Sequence, residues 1–258
     1  MIYLKTDEEV ELMRVSNLLV GKTLAEIAKH IRPGVTTRRL DEIAEEFIRS
    51  NGAIPSFLGY RGFPNSICAS VNEQVVHGIP DMRPLEDGDV VSIDCGVLKD
   101  GFHGDSCYTF CVGEVQPEVK RLLKVTTESL YKAIEVVRAG VRLGNVGNVI
   151  QSYCESNGFS VVKEFVGHGI GRNMHEEPMV PNYGWKGLGT QLKDGMTIAI
   201  EPMVCMGKRN VYMKDDGWTV VTSDGRCAAH FEHTVVVRKG GADILSSFDF
   251  IEQILNKE

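Results

Sequence analysis

Leu85-Glu86-Asp87-Gly88-Asp89-Val90-Val91-Ser92-Ile93-Asp94 and Leu192-Lys193-Asp194-Gly195-Met196-Thr197-Ile198-Ala199-Ile200-Glu201 follow one pattern. Each opens on leucine, turns at Asp-Gly, enters an apolar run and ends on an acid six residues after the glycine. The repetition extends upstream. Ile31-Arg32-Pro33-Gly34-Val35 returns about 106 residues later as Val137-Arg138-Ala139-Gly140-Val141, and Ser50-Asn51-Gly52 returns as Ser156-Asn157-Gly158. A duplicated unit that aims one carboxylate per copy from the end of an apolar run brings two acids together on a pseudo-twofold axis. Acids so placed repel unless a proton or a cation lies between them. The duplication points to a metal site.

Bulk composition narrows the classes. At 258 residues the chain can bury a full core, and a single catalytic domain spanning 1–258, with halves near 1–115 and 116–258, fits that length. The net charge of −7 and the lack of any Lys/Arg block argue against general nucleic-acid binding. No stretch approaches the roughly 20 apolar residues of a membrane span. The opening Met1-Ile2-Tyr3-Leu4-Lys5-Thr6-Asp7 does not read as a secretory signal, so a cytoplasmic location is expected. Seven scattered cysteines without a CxxC pair fit reduced, mostly buried thiols.

Thr6-x-x-Glu9 is a capping box, and Val10, Met13, Val20, Leu24 and Ile27 follow at helical spacing until Pro33-Gly34. Thr37 opens a second helix with Leu40, Ile43, Ala44, Phe47 and Ile48 on one face, closed by Gly52. The second half repeats the pair. Pro117 suits a first helical position before the stripe Val119, Leu122, Leu123, Leu130, Ile134 and Val137, and a shorter helix carries Val146, Val149, Ile150 and Tyr153. Strands follow each pair, so each half reads as helix, helix, antiparallel β.

Val90 to Val97 runs into Asp100-Gly101, a strong hairpin signal, and Phe102 to Val112 is the return strand. A two-residue loop pairs Asp94 with position 107 and leaves Asp105 a diagonal neighbour on the same face, about 7 Å away. A three-residue loop would break that parity unless a bulge restored it. Glu201 and Glu232 form the matching pair, 31 residues apart against 11, and positions 206–226 supply the extra length as a longer hairpin tip.

Four carboxylates on two related hairpins need cations. Gly167-His168-Gly169-Ile170-Gly171 offers an imidazole whose flanking glycines permit close backbone approach. Oxygen-rich ligation with one imidazole suits Mn, Fe, Co or Zn as divalent ions in a dinuclear centre. Such a centre generates hydroxide near neutral pH and stabilises an oxyanion. Each acid taken alone is more simply a solvated strand-end carboxylate; the duplicated arrangement reverses that reading.

In order and spacing, Asp94, Asp105, His168, Glu201 and Glu232 resemble the five metal ligands of type I methionine aminopeptidases. The resemblance covers the whole chain. It includes Cys68-Ala69-Ser70-Val71-Asn72-Glu73 through His77-Gly78-Ile79-Pro80, Gly167-His168-Gly169-Ile170-Gly171 through His175-Glu176-Glu177-Pro178, and Glu201-Pro202-Met203. It implies the α+β pita-bread fold, two αβ halves about a pseudo-twofold axis. It also implies removal of the N-terminal initiator methionine from nascent chains whose second residue is small.

The resemblance further implies that Asp94 chelates one of two divalent ions, that His168 and Glu201 bind the other, and that Asp105 and Glu232 bridge. Glu201 would handle the proton of the nucleophilic water, and His175 would hydrogen-bond the scissile carbonyl oxygen. His77 would contact the amide beside the leaving nitrogen; without the motif it would read as a satisfied structural histidine. By motif position, Tyr60, Phe63, Cys68, Met174 and Trp218 would wall a methionine pocket. Met174 stands where Phe is usual, which makes that wall more flexible. His230 stands where Gln is expected and is a candidate to orient a metal ligand.

Neither a Cys/His-rich N-terminal extension nor a long type II insertion is seen. A monomer working on nascent polypeptides, co-translationally near the ribosomal exit, is the expected context. Two rival readings stand beside this one. A proline-specific peptidase of the same fold would normally carry an extra N-terminal domain. A binding protein without activity would have lost some of the five ligands.

Overall fold

The computed structural model describes residues 1–256. Helix α1 (Asp7–Ala28) starts where the capping box predicts: the Thr6 hydroxyl accepts from the Glu9 N–H, and Glu9 accepts from the Thr6 N–H. Helix α2 (Thr37–Ser50) is capped by Thr36 and buries Leu40, Ile43, Ala44 and Ile48. In the second half, α3 (Pro117–Glu135) takes Pro117 at its start, and α4 (Leu143–Ser156) buries Val146 and Ile150 while Val149 and Tyr153 are only partly covered. A short α5 (Asp249–Leu255) packs back on α1.

The sequence duplication is also a duplication of hydrogen bonds. The Gly34 N–H donates to Leu85 O at 2.8 Å and the Leu85 N–H to Val35 O at 2.7 Å; Gly140 donates to Leu192 O at 2.9 Å and Leu192 to Val141 O at 2.8 Å. Gly34 and Gly140 both take a left-handed backbone, with φ of 91° and 92°, which explains a glycine at each. One turn thus anchors the start of the acid-bearing strand in both halves.

In the first half Val90–Lys99 pairs antiparallel with Phe102–Cys111 through a two-residue turn at Asp100 and Gly101, both at positive φ. On its other edge it pairs with Ile67–Val71 and Ile54–Pro55. In the second half Thr197–Ile200 lies between His233–Val237 and Gly167–Gly169, in a five-stranded sheet edged by Ala242–Ile244 and Glu176–Val180. The strand line then breaks at Glu201-Pro202 and Phe231-Glu232 and resumes as Met203–Cys205 against Ala228–His230. Both pieces keep one register, so the second hairpin is the first with a longer, interrupted arm.

The two hairpins are fastened across the axis. Glu232 N–H donates to Cys107 O at 2.9 Å, Ser106 Oγ to Glu232 O at 2.7 Å, Thr234 Oγ1 to Asp105 O at 2.9 Å and Thr109 Oγ1 to His230 O at 2.7 Å. One core cluster draws on both halves, from Leu24, Leu40 and Ile93 to Leu122, Ile150, Ile198 and Val235. Helix α1 lies against the return strand Phe102–Cys111. The Asn17 amide there donates to Met13 O at 2.9 Å and accepts from the Asp105 N–H at 3.2 Å, so the helix fixes the backbone of that acid.

Close approach of α1 depends on Gly104, where an added Cβ would lie 2.5 Å from Asn17 N and 2.6 Å from Ser16 C. Gly104→Ala should destabilise the fold by about 1–3 kcal/mol through overpacking against backbone that has no rotamer to shift. A urea unfolding curve reads this as a lower midpoint with unchanged slope.

Candidate metal centre

The first-half acids meet as the two-residue turn requires. Asp94 pairs with Cys107 and Asp105 with Gly96, which leaves the two carboxylates diagonal on one face. In the second half the constant register sets Glu201 directly opposite Glu232, where the ladder is broken. Asp105 and Glu232 are 3% and 2% exposed, and with His168 they offer ligand atoms all within 4.8 Å of one another. His168 Nε2 lies 3.6 Å from Asp105 Oδ2 and 3.8 Å from Glu201 Oε1.

Protonation follows from this crowding. Burial, then the charge of Asp105, drives the Asp94 carboxyl well above the usual range; burial, then Asp105 and Glu201, does the same to Glu232. Asp105 is raised to about 6, chiefly by burial, although its hydrogen bond to His168 opposes the shift. For His168 burial acts downward, but the hydrogen bond to Asp105 and the charges of Glu201 and Asp105 outweigh it and lift the ring to about 9. Such a site favours any cation that reaches it.

The donor set fits a divalent metal. Asp94 Oδ1, Asp105 Oδ1, Glu232 Oε1 and His230 Nε2 are buried without a hydrogen-bond partner, and an ion supplies what these atoms lack. His168 Nδ1 is 2.9 Å from Gly169 O, and a carbonyl can only accept. The Nδ1 proton is therefore fixed in place, and the proton that a cation displaces is the one on Nε2, which leaves that lone pair turned to the carboxylates, as a metal ligand must be. Glycines on both sides make room: a Cβ on Gly167 would sit 2.3 Å from Ala199 O, and one on Gly169 2.2 Å from Glu177 O. His230 Nε2 stands 3.4 Å from Glu201 Oε2, within reach of an acid expected to be a ligand.

A pocket of about 200 Å³ opens onto these groups. All of Tyr60, Phe63, Cys68, His77, Met174, His175 and Trp218 line it, together with Asp94, Asp105, His168, Glu201 and Glu232. Phe57, Phe63, Cys68 and Met174 form a small apolar cluster of their own, capped by Tyr60, Ile79 and Trp218. Trp218 arrives on the inserted tip, because Val220–Thr222 pairs with Gln74–Val76 and carries the indole to 5.1 Å from the Phe63 ring. His77 sits at φ 58°, a strained conformation for a non-glycine residue, with its ring edge-on to Phe165 and Trp218. His175 packs against His168 with centroids 4.1 Å apart and planes 39° apart, and desolvation followed by the charge of His168 pushes its pKa down. Sequence reasoning missed Phe57, Arg61, Val76, Phe165, Val166 and Met203 in the lining. Phe165, three residues before His168, carried the best signal, an aromatic at the entry to the Gly-His-Gly run.

Two halves, two acid-bearing hairpins and a buried imidazole define a metal-dependent hydrolase of the pita-bread fold. Residues 11–239 match metallopeptidase family M24. The chain is 52% identical over 246 residues to methionine aminopeptidase 1 of Bacillus subtilis, covering 95% of this chain and 99% of that protein. A crystal structure of methionine aminopeptidase from Rickettsia prowazekii superposes with a TM-score of 0.94 at 45% identity, over 96% of this chain and 100% of that one. X-Pro aminopeptidase from Thermotoga maritima shares the fold alone, with a TM-score of 0.76 at 21% identity, and this chain covers 62% of its length. The chain belongs to the methionine aminopeptidases of metallopeptidase family M24, and divalent metal use comes with that membership.

The raised Asp105 carboxyl gives a pH test. Its folded value of about 6 exceeds an unfolded value near 4, so the metal-free fold loses stability as pH rises through that window and regains it below. Metal-free Asp105→Asn should melt above the metal-free parent at about pH 7.5, and the gain should shrink toward about pH 4. Melting curves in chelator read the difference.

Proposed function

We propose that this protein removes N-terminal methionine from polypeptides whose second residue is small, as a single catalytic domain over 1–258. Two divalent ions, drawn from Mn, Fe, Co or Zn, would be held by Asp94, Asp105, His168, Glu201 and Glu232, with Asp105 and Glu232 bridging. The observation that carries the reading is the set of orphaned buried carboxylate oxygens at the floor of a methionine-sized apolar pocket. When bound, the metal lowers the pKa of water and stabilises negative charge on oxygen.

The chain's own groups do the rest. Phe63, Cys68, Met174 and Trp218 take the methionine side chain, where thioether packs against thiol, thioether and aromatic edges. Glu201, partly exposed toward the pocket, holds the proton of the attacking water and passes it to the leaving nitrogen. His175 faces the scissile carbonyl oxygen as a hydrogen-bond donor, and His77 meets the next amide. Because His77 is held rigid by its backbone and by Phe165, the second residue must be small to pass it. The context we infer is a cytoplasmic monomer acting on nascent chains close to the ribosome; among the described residues no helix is long and apolar enough to cross a membrane.

Hydrolysis of Met-Ala-Ser against Ala-Pro-Ala, with metal-stripped protein titrated by each of the four ions without oxygen, tests the reading. Release of methionine from the first peptide alone is the expected result; cleavage of the second in preference would assign a proline-specific peptidase. His175→Ala should lower kcat by roughly 10²–10³ with bound metal unchanged, since it removes a donor and no ligand. Metal analysis beside single-turnover rates checks both halves of that statement. Met174→Ala should cost on the order of 1–3 kcal/mol in kcat/KM for methionine substrates. Unchanged kinetics with lost folding would make Met174 a core residue only.

A further inference from the structure

Two histidines lie side by side in the pocket lining, rings tilted 39° and centroids 4.1 Å apart, and their Nδ1 atoms meet opposite chemistry. His168 Nδ1 faces the Gly169 carbonyl at 2.9 Å. His175 Nδ1 faces the Tyr60 hydroxyl, also at 2.9 Å. A carbonyl forces its histidine to donate, whereas a phenol can donate or accept. The structure gives the Tyr60 hydroxyl no other hydrogen-bond acceptor among the described residues. If His175 Nδ1 carried the proton, the phenol would only accept and its own O–H would turn to solvent, giving up the pairing of the two groups in which the phenol donates. The phenol is also the stronger acid of the two groups, so the O–H···N arrangement is the better bond.

We propose that Tyr60 is a positioning residue: its O–H donates to His175 Nδ1 and fixes the tautomer in which Nε2 carries the proton and points into the pocket. Resting on the reading of His175 as the donor to the scissile carbonyl, this gives Tyr60 a role beyond walling the methionine pocket. The ring geometry supports it. Tyr60 and His175 stack with centroids 5.3 Å apart and planes 15° from parallel, so the phenol limits rotation of the imidazole as well as setting its proton. Tyr60 is itself held in a tight turn: Gly59 takes φ 80°, Arg61 takes φ 50°, and the Arg61 guanidinium lies 5.3 Å over the phenol ring. Once a cation displaces the His168 Nε2 proton, adjacent imidazoles thereby present a lone pair from His168 and an N–H from His175, although the residue types are identical. The sequence sets that difference at two distant places, one glycine carbonyl and one tyrosine.

The test uses zinc-loaded protein, which is diamagnetic, and Tyr60→Phe, which keeps the ring and the stack. Nitrogen-15 spectra of the His175 ring, assigned by loss of its signals in His175→Gln, should show an unprotonated Nδ1 and a protonated Nε2 in the parent. In Tyr60→Phe the two forms should mix. kcat on Met-Ala-Ser should fall about tenfold, the size of one neutral hydrogen bond, while KM and bound zinc stay within twofold. A protonated Nδ1 in the parent would overturn the proposal. So would kcat within twofold in Tyr60→Phe, or a rise in KM with kcat unchanged, which would leave Tyr60 a pocket wall only. If the parent releases no methionine at all, the proposed function fails, and the ring spectra of parent and variant still decide the tautomer.

Discussion

Mutual repulsion among carboxylates buried at one point is the constraint that organises this molecule. Burial drives Asp94, Asp105 and Glu232 upward in pKa, Asp105 adds to the shift of the other two and Glu201 to all three, and while no cation is present the same field favours a protonated His168. A fold does not collect such groups by packing forces. They are held by a lattice of neutral hydrogen bonds between the two hairpins, in which Ser106, Thr109 and Thr234 clip each acid-bearing strand to the other. The core is thus spent on fixing backbones, and the acids project from backbones that cannot move apart.

The two halves are related but not equivalent, and the difference has consequences for the site. In the first hairpin the acids are diagonal in an unbroken ladder; in the second they are directly opposed and the ladder gives way around them. Directly opposed like charges are unfavourable in a paired sheet, which accounts for the gap at Glu201-Pro202 and Phe231-Glu232. The extra 20 residues of the second arm then fold over the first half, pair with Gln74–Val76 and carry Trp218 to the pocket. The longer arm of the second copy thus adds an apolar side to a pocket whose floor is the acid cluster.

Substrate selection and chemistry in the proposed function share that asymmetry. His77 is held by a positive φ and by aromatic edges, the rigidity on which the proposed second-residue limit rests. His168 and His175 nearly touch, and the surrounding carbonyl and phenol assign them different jobs. Met174 brings an unbranched, flexible thioether to the apolar cluster in which Phe63 and Trp218 meet edge to face.

Much of this was legible in the chain. The repeat of Leu-x-Asp-Gly, the hairpin signal at Asp100-Gly101 and the parity of a strand sufficed to pair Asp94 with Cys107 and to set Asp105 on the same face. Capping residues placed α1, and Pro117 placed α3, within a residue. These features are local, and local sterics decide them. The direct opposition of Glu201 and Glu232, the entry of Phe57, Phe165 and Met203 into the pocket, and the Tyr60–His175 bond across 115 positions were not legible. Each depends on where a distant segment comes to rest. That is settled by how the whole core packs, not by any period or motif within one segment. The sequence by itself determined which acids and imidazoles belong together; only the tertiary structure decided which of them are buried, which face each other and which nitrogen carries the proton.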